Sequence, residues 1–171
     1  MITDIQNIET LAREREDENW KFRSYLKNSS ISGEIIDNAV HELYREISAQ
    51  IDCQQCANCC IACSPILVKT DQQRLAKHIK MKLADFREKF LVPDEEDEGQ
   101  VFRQMPCPFL RDKLCSVYDQ RPLDCRSYPH LHKKDFMFRL AQAVSNCSIC
   151  PIVFNMYEEL KVKFWRRFRL L

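Results

Sequence analysis

Glycine is nearly absent. Gly33 and Gly99 are the only two in 171 residues. That excludes a glycine-rich phosphate or dinucleotide loop, which needs several closely spaced glycines, and it favours helices over an all-β architecture. Long apolar runs are missing too. No segment approaches the roughly 20 apolar residues of a membrane span. The N-terminal stretch MITDIQNIETLARERE lacks the basic start and continuous apolar core of a signal peptide. The expectation is a cytoplasmic protein with no transmembrane segment. Charge of one sign is also lacking: 26 Lys and Arg against 25 Asp and Glu leave +1, so nucleic acid is not expected as a partner. No nucleophile–base pair and no carboxylate pair of distinctive spacing is visible. The residues show no catalytic constellation, and whether the protein is an enzyme stays open at this point.

Cysteine is what the chain has in excess. Ten occur, and five of them lie in the eleven residues CQQCANCCIAC, from Cys53 to Cys63. In a reducing cytosol so many thiols read as metal ligands rather than disulfides. Cys53, Cys56 and Cys59 show twice the two-residue gap that lets a turn bring both thiolates to one metal. Cys59 and Cys60 are adjacent, and adjacent side chains diverge on a helix or a strand, so the two are expected to do different jobs. The other cysteines are Cys107, Cys115, Cys125, Cys147 and Cys150, the last two again separated by two residues.

Two occupants fit this chemistry. Cys53, Cys56, Cys59 and Cys63 reproduce the C-x2-C-x2-C-x3-C run of bacterial ferredoxins, although the following proline, Pro65, comes one residue late. A 4Fe-4S iron–sulfur cluster is therefore favoured. Zinc is the alternative, since it takes four thiolates from CxxC-like pairs such as Cys53/Cys56 and Cys147/Cys150. Cys56, Cys60 and Cys63 also match the C-x3-C-x2-C spacing of radical S-adenosylmethionine enzymes, without the glycine-rich contacts those enzymes use. Four thiolates carry net negative charge, which needs partners when buried. Arg121 and Arg126, in RPLDCRSYP at 121–129, are the candidate donors around the cofactor, with ion pairs to Asp119 or Asp124 as the plain alternative. His130 and His132 are minor ligand candidates; His41 and His78 read as surface residues.

The pattern along the chain is mainly helical with a small β element. Ile5, Ile8, Leu11 and Ala12 share a helical face over residues 4–18, and Ile36, Val40, Leu43 and Ile47 share one over 34–50. Residues 1–50 thus read as a helical hairpin, 51–150 as a cysteine-cluster core, and 151–171 as a C-terminal amphipathic helix. All three belong to a single compact domain organised around a cysteine-ligated metal centre. Thr70-Asp71-Gln72-Gln73 has the pattern of a capping box, opening a helix that reaches Leu91 with a break near 80–83. Residues 101–103 and 115–118 are candidate short strands around a turn at 111–113, and 136–144 is a further strand candidate. Asp94 to Glu98 is a self-repelling acidic loop. The basic end of the last helix, with Lys161, Lys163, Arg166, Arg167 and Arg169, has the composition of a membrane-surface helix. Packing on its own domain is the reading preferred, with an unidentified protein partner left open.

CQQCANCC at 53–60, CPFL at 107–110, CSVY at 115–118 and RPLDCRSYP at 121–129 occur in an order that resembles the YkgJ-like CxxCxxCC cysteine-cluster family, described as zinc- or iron-chelating. The resemblance covers roughly residues 53–150. It implies Cys53, Cys56, Cys59, Cys60, Cys107, Cys115, Cys125 and one of Cys147 or Cys150 as ligands, with Cys63 an addition to the family pattern. Some relatives are linked to flagellin lysine N-methylation, so a protein-modifying enzyme is the alternative to a metal-binding protein that senses or handles metal or carries electrons.

Overall fold

A computed structural model of the chain describes residues 1–95 and 99–165. The protein is mainly helical, with 60% helix and a few short strands. Its helices are α1 (Ile5–Glu14), α2 (Glu16–Asn28), α3 (Gly33–Ser48), α4 (Cys53–Cys56), α5 (Asn58–Ala62), α6 (Lys69–His78), α7 (Leu83–Phe90), α8 (Leu123–Ser127), α9 (Leu140–Asn146) and α10 (Pro151–Phe164). Its strands are β1 (Leu91–Pro93), β2 (Gln100–Phe102), β3 (Leu110–Arg111) and β4 (Leu114–Cys115). Among the described residues no helix is long and apolar enough to cross a membrane. The fold divides into two units: Met1–Asp52 with Pro129–Leu171, and Cys53–Tyr128. The 51–150 segment read as one core thus supplies the whole second unit and part of the first.

The first unit is built on α10. Pro151 at its start presets helical backbone, and every residue from Pro151 to Tyr157 is buried. A helix buried on all sides is a core element, which goes beyond the single apolar face expected for it. Around it Ile8, Phe22, Leu26, Ile36, Val40 and Leu140 are fully buried. Asp4 caps α1 by accepting from the Asn7 amide at 2.8 Å, and Ser32 caps α3 through the Ile35 amide at 3.3 Å; each satisfies an amide the first turn leaves free. The helix read over 4–18 breaks at Arg15 and resumes as α2. Lys161, read as part of a basic face, is fully buried. Its ammonium meets Glu158 at 2.6 Å, Asn19 Oδ1 at 3.0 Å and Glu18 at 3.6 Å. The 136–144 stretch is helical rather than extended: a 3-10 turn at Phe136–Phe138 leads into α9. Its apolar residues fall on a helical face, with Leu140, Ala143 and Val144 buried.

The second unit has its own core of Leu67, Leu75, Ala76, Phe86, Leu91, Phe102, Phe109 and Val117, against which Cys107 and Cys115 pack. The break near 80–83 is present: α6 ends at His78 and Lys80 turns with φ 56°. Pro93 closes β1, which pairs antiparallel with β2. The 111–113 turn is a two-residue hairpin, with Asp112 at φ 48° and Lys113 at φ 63° joining β3 to β4. Positive φ at both positions matches the twist of the strands. Residues 118–120 curl into a 3-10 turn instead of extending the strand. The acidic stretch from Glu96 to Glu98, and the basic residues Arg166, Arg167 and Arg169, lie outside the described residues.

Candidate metal centre

Eight of the ten cysteines, all except Cys147 and Cys150, fall in the second unit. Cys53 and Cys56 sit at the two ends of α4, and Cys59 and Cys60 in α5. Ala57 separates the two turns in a left-handed conformation, φ 49°, and is 5% exposed. The small side chain lets the backbone reverse inside the fold. Ala57 N donates to Cys53 O at 3.1 Å and Cys63 N to Cys59 O at 2.9 Å, so the segment is tied at both ends.

Cys59 and Cys60 lie side by side in α5. The Cys59 thiol hydrogen-bonds to Cys60, and this is the largest cause lowering the Cys60 thiol to about 7, against its burial and with help from Arg121. Adjacent side chains leave a helix about 100° apart, but each sulfur sits on a rotor about Cα–Cβ, and the pair meets.

The CPFL and CSVY motifs set backbone amides around two thiols. Cys107 N donates to Cys60 O at 2.8 Å, joining the two cysteine segments. Burial pushes the Cys107 thiol up to about 11, opposed chiefly by the Phe109 amide; the Leu110 amide donates to Cys107 O at 3.0 Å. Pro108 has no amide of its own, and the turn through it presents the next two. Cys115 lies opposite Leu110 in the hairpin. Its thiol is raised by burial and lowered by the Val117 amide. Hydrogen bonds that favour the anion are the usual outer support of a metal-bound thiolate.

RPLDCRSYP delivers the last thiol and the counter-charge. Pro122 precedes α8, which carries Cys125. Arg121 lies over the Tyr118 ring at 3.7 Å and donates to Tyr118 O at 2.9 Å; its charge lowers both Cys60 and Cys115. Arg126, read as an equivalent donor, instead bonds Asp119 O at 2.6 Å and Arg121 O at 3.0 Å. It braces the turn. Asp124 accepts from Ile66 N at 3.2 Å, and Tyr128 hydrogen-bonds the Cys63 thiol. Both residues link α8 to the segment after the cysteine run.

Cys60 is the electrostatic hub. Charge on it raises Cys63, Cys107, Cys115 and Cys125 alike. Burial raises Cys125 most, followed by Cys107, Cys60, Asp124 and Cys115. Ionising several of these thiols together is therefore costly without a cation, which is the condition a thiophilic metal relieves. All ten cysteines are free thiols. Among the described residues no three Cys, His, Asp or Glu side chains are arranged to hold one ion. The donor chemistry fits a thiolate-bound metal.

Cys147 and Cys150 belong to the first unit and are buried. The Cys147 thiol donates to Ala143 O at 3.2 Å, and burial is the main cause that raises it. His78 is exposed at the end of α6, and His130 is buried in the first unit. His41 and His132 line an open cavity of about 830 Å³ in that unit. Sequence reasoning did not single out Asp71, Arg74 or Tyr128. Asp71 was masked by its place in an apparent capping box. In the structure α6 starts at Lys69 after Val68, with no side-chain cap, and the Asp71 carboxylate goes to the Leu123 amide.

A family model described as "CxxCxxCC: Putative zinc- or iron-chelating domain" matches residues 52–151. The chain belongs to this family. The matched span contains every cysteine of the protein, and a zinc- or iron-chelating role is what membership of the CxxCxxCC family supports. No solved structure matches the chain.

Proposed function

We propose that this CxxCxxCC protein is a metal-binding protein whose second unit holds its metal through two sets of thiolates. Cys60, Cys107, Cys115 and Cys125 form one set. Cys53, Cys56, Cys59 and Cys63, the ferredoxin-like run, form the other. The observation that carries this reading is the gathering of eight cysteines in one unit, inside the span that the family model matches, with the Cys107 amide bonded to Cys60 O at 2.8 Å. Such an arrangement has little use in a metal-free core, where buried cysteines behave as small apolar residues.

An iron–sulfur cluster on the ferredoxin-like run is the preferred occupant, since that spacing suits a four-thiolate cluster; zinc is the alternative. A metal-handling or redox role follows from either. Protein lysine methylation, carried by the resemblance to flagellin-modifying relatives, is less well supported, because a chain with two glycines offers no glycine-rich cofactor loop. Anaerobic purification with iron, sulfide and zinc analysis tests the reading. Metal lost on Cys60→Ser or Cys107→Ser supports it, and metal retained at full stoichiometry in both variants overturns the assignment of that set. Turnover of a protein substrate with S-adenosylmethionine would favour the enzyme instead.

A further inference from the structure

We propose that Asp71 and Arg74 of α6 act as a positioning pair for the thiol centre, setting its metal affinity without touching metal; the inference rests on the metal-binding reading above. Asp71 is 1% exposed. Both of its carboxylate oxygens accept from the Leu123 amide at 3.2 Å, and one also holds Arg74 Nη2. Arg74 passes the restraint on. Its Nε donates to Gln120 O at 3.3 Å and its Nη2 to Arg121 O at 2.9 Å. Backbone groups of residues 120, 121 and 123 are thus pinned to one helix.

The pinned segment is the one that matters to the thiols. It runs straight into α8, where Cys125 follows Leu123 by two residues, and Arg121 within it is stacked on Tyr118 next to the CSVY thiol segment. Pro122 has no amide to contribute, so this stretch has fewer backbone bonds of its own. A buried carboxylate without a cation is costly, and Arg74 removes that cost while adding two further anchors. The guanidinium fork serves several acceptors at once, which a lysine cannot do. The pair works through Arg121 and Cys125 as outer partners of metal ligands do, where loss commonly weakens binding about 10–100-fold.

The experiment uses the full chain, stripped of metal under reducing conditions. Zinc affinity is measured by competition with a chromophoric chelator, and cobalt absorption reports the coordination geometry. Asp71→Asn keeps an acceptor for Leu123 but releases Arg74. Arg74→Lys keeps the charge but loses the fork. Leu75→Ala, in the same helix and fully buried in the unit's core, is the stability control. Asp71→Asn and Arg74→Lys are expected to weaken zinc binding about 10–100-fold and to change the cobalt spectrum. Leu75→Ala is expected to lower the melting temperature and any stability-coupled affinity while leaving the cobalt spectrum as in wild type. A wild-type cobalt spectrum in either pair variant, or the same spectral change in Leu75→Ala, overturns the positioning role. If Asp71→Asn does not fold, Arg74→Lys decides the question alone. A wild-type chain that binds neither zinc nor cobalt overturns the metal reading itself.

Discussion

The buried Lys161 network gives a sharp asymmetry between two substitutions. The Lys161 side chain is fully buried and lies 2.6 Å from Glu158, whose side chain is 19% exposed. Glu158 has a second cation, Arg15 at 2.7 Å. Lys161 has the more distant Glu18, at 3.6 Å, as its second anion among the described residues. Removing one partner of a buried pair costs about 3–5 kcal/mol because the other is left uncompensated. Lys161→Met fills most of the volume and leaves Glu158 with Arg15, so its cost should fall below that range, at about 2 kcal/mol, mainly the lost bond to Asn19 Oδ1 and its desolvated oxygen. Glu158→Gln leaves a fully buried ammonium with one more distant, partly exposed carboxylate, and should cost about 4 kcal/mol. At roughly 2–4 °C per kcal/mol for a chain of this size, the two melting temperatures should differ by several degrees, with Glu158→Gln lower. Thermal unfolding followed by circular dichroism at neutral pH reads this directly. Equal destabilisation, or a more stable Glu158→Gln, would refute the argument that the second partner decides the cost.

Four further outcomes are expected. Cys60→Ser should remove the centre that also needs Cys107, while Cys59→Ser should spare it and change the ferredoxin-like set, as metal counts and spectra of the two variants will show. Phe86→Ala, at a fully buried core position of the second unit, should cost about 3–5 kcal/mol, measured by urea unfolding. Asp124→Ala takes the acceptor from the Ile66 amide and should cost about 1–2 kcal/mol, with faster amide exchange at Ile66. Burial, the largest cause, raises the Tyr157 phenol, so its contribution is intact below pH about 10 and is lost as pH rises further. Tyr157→Phe, which forgoes the bond to Asn19 O at 3.2 Å, should flatten the alkaline loss of stability, and an unchanged alkaline slope would count against Tyr157 as its source.

The helical character, the metal-ligand chemistry of the cysteines and the family were legible from spacing and motif alone. CxxC gaps and the order of CPFL, CSVY and RPxxC are local signals. What stayed hidden depends on long-range partners. Asp71 has the local pattern of a capping residue, and only the fold shows its carboxylate on Leu123, 52 positions away. Arg121 and Arg126 look equivalent in the sequence, yet Arg121 stacks on the Tyr118 ring and Arg126 braces the backbone of Asp119 and Arg121. Lys161 looks like a solvated charge because its anions, Glu18 and Glu158, come partly from a distant helix. The 136–144 stretch misled because short apolar runs do not separate strand from helix by periodicity.

The central claim is that the cysteine unit folds around metal it binds itself. Its most direct test is the metal and sulfide content of anaerobically purified wild-type protein, read together with the melting temperature before and after chelation. The account expects stoichiometric iron with sulfide, or stoichiometric zinc, and a marked drop in melting temperature once the metal is removed, because binding free energy is then folding free energy. Protein that purifies without either metal, takes up neither on reconstitution, and melts at the same temperature with and without chelator would contradict it.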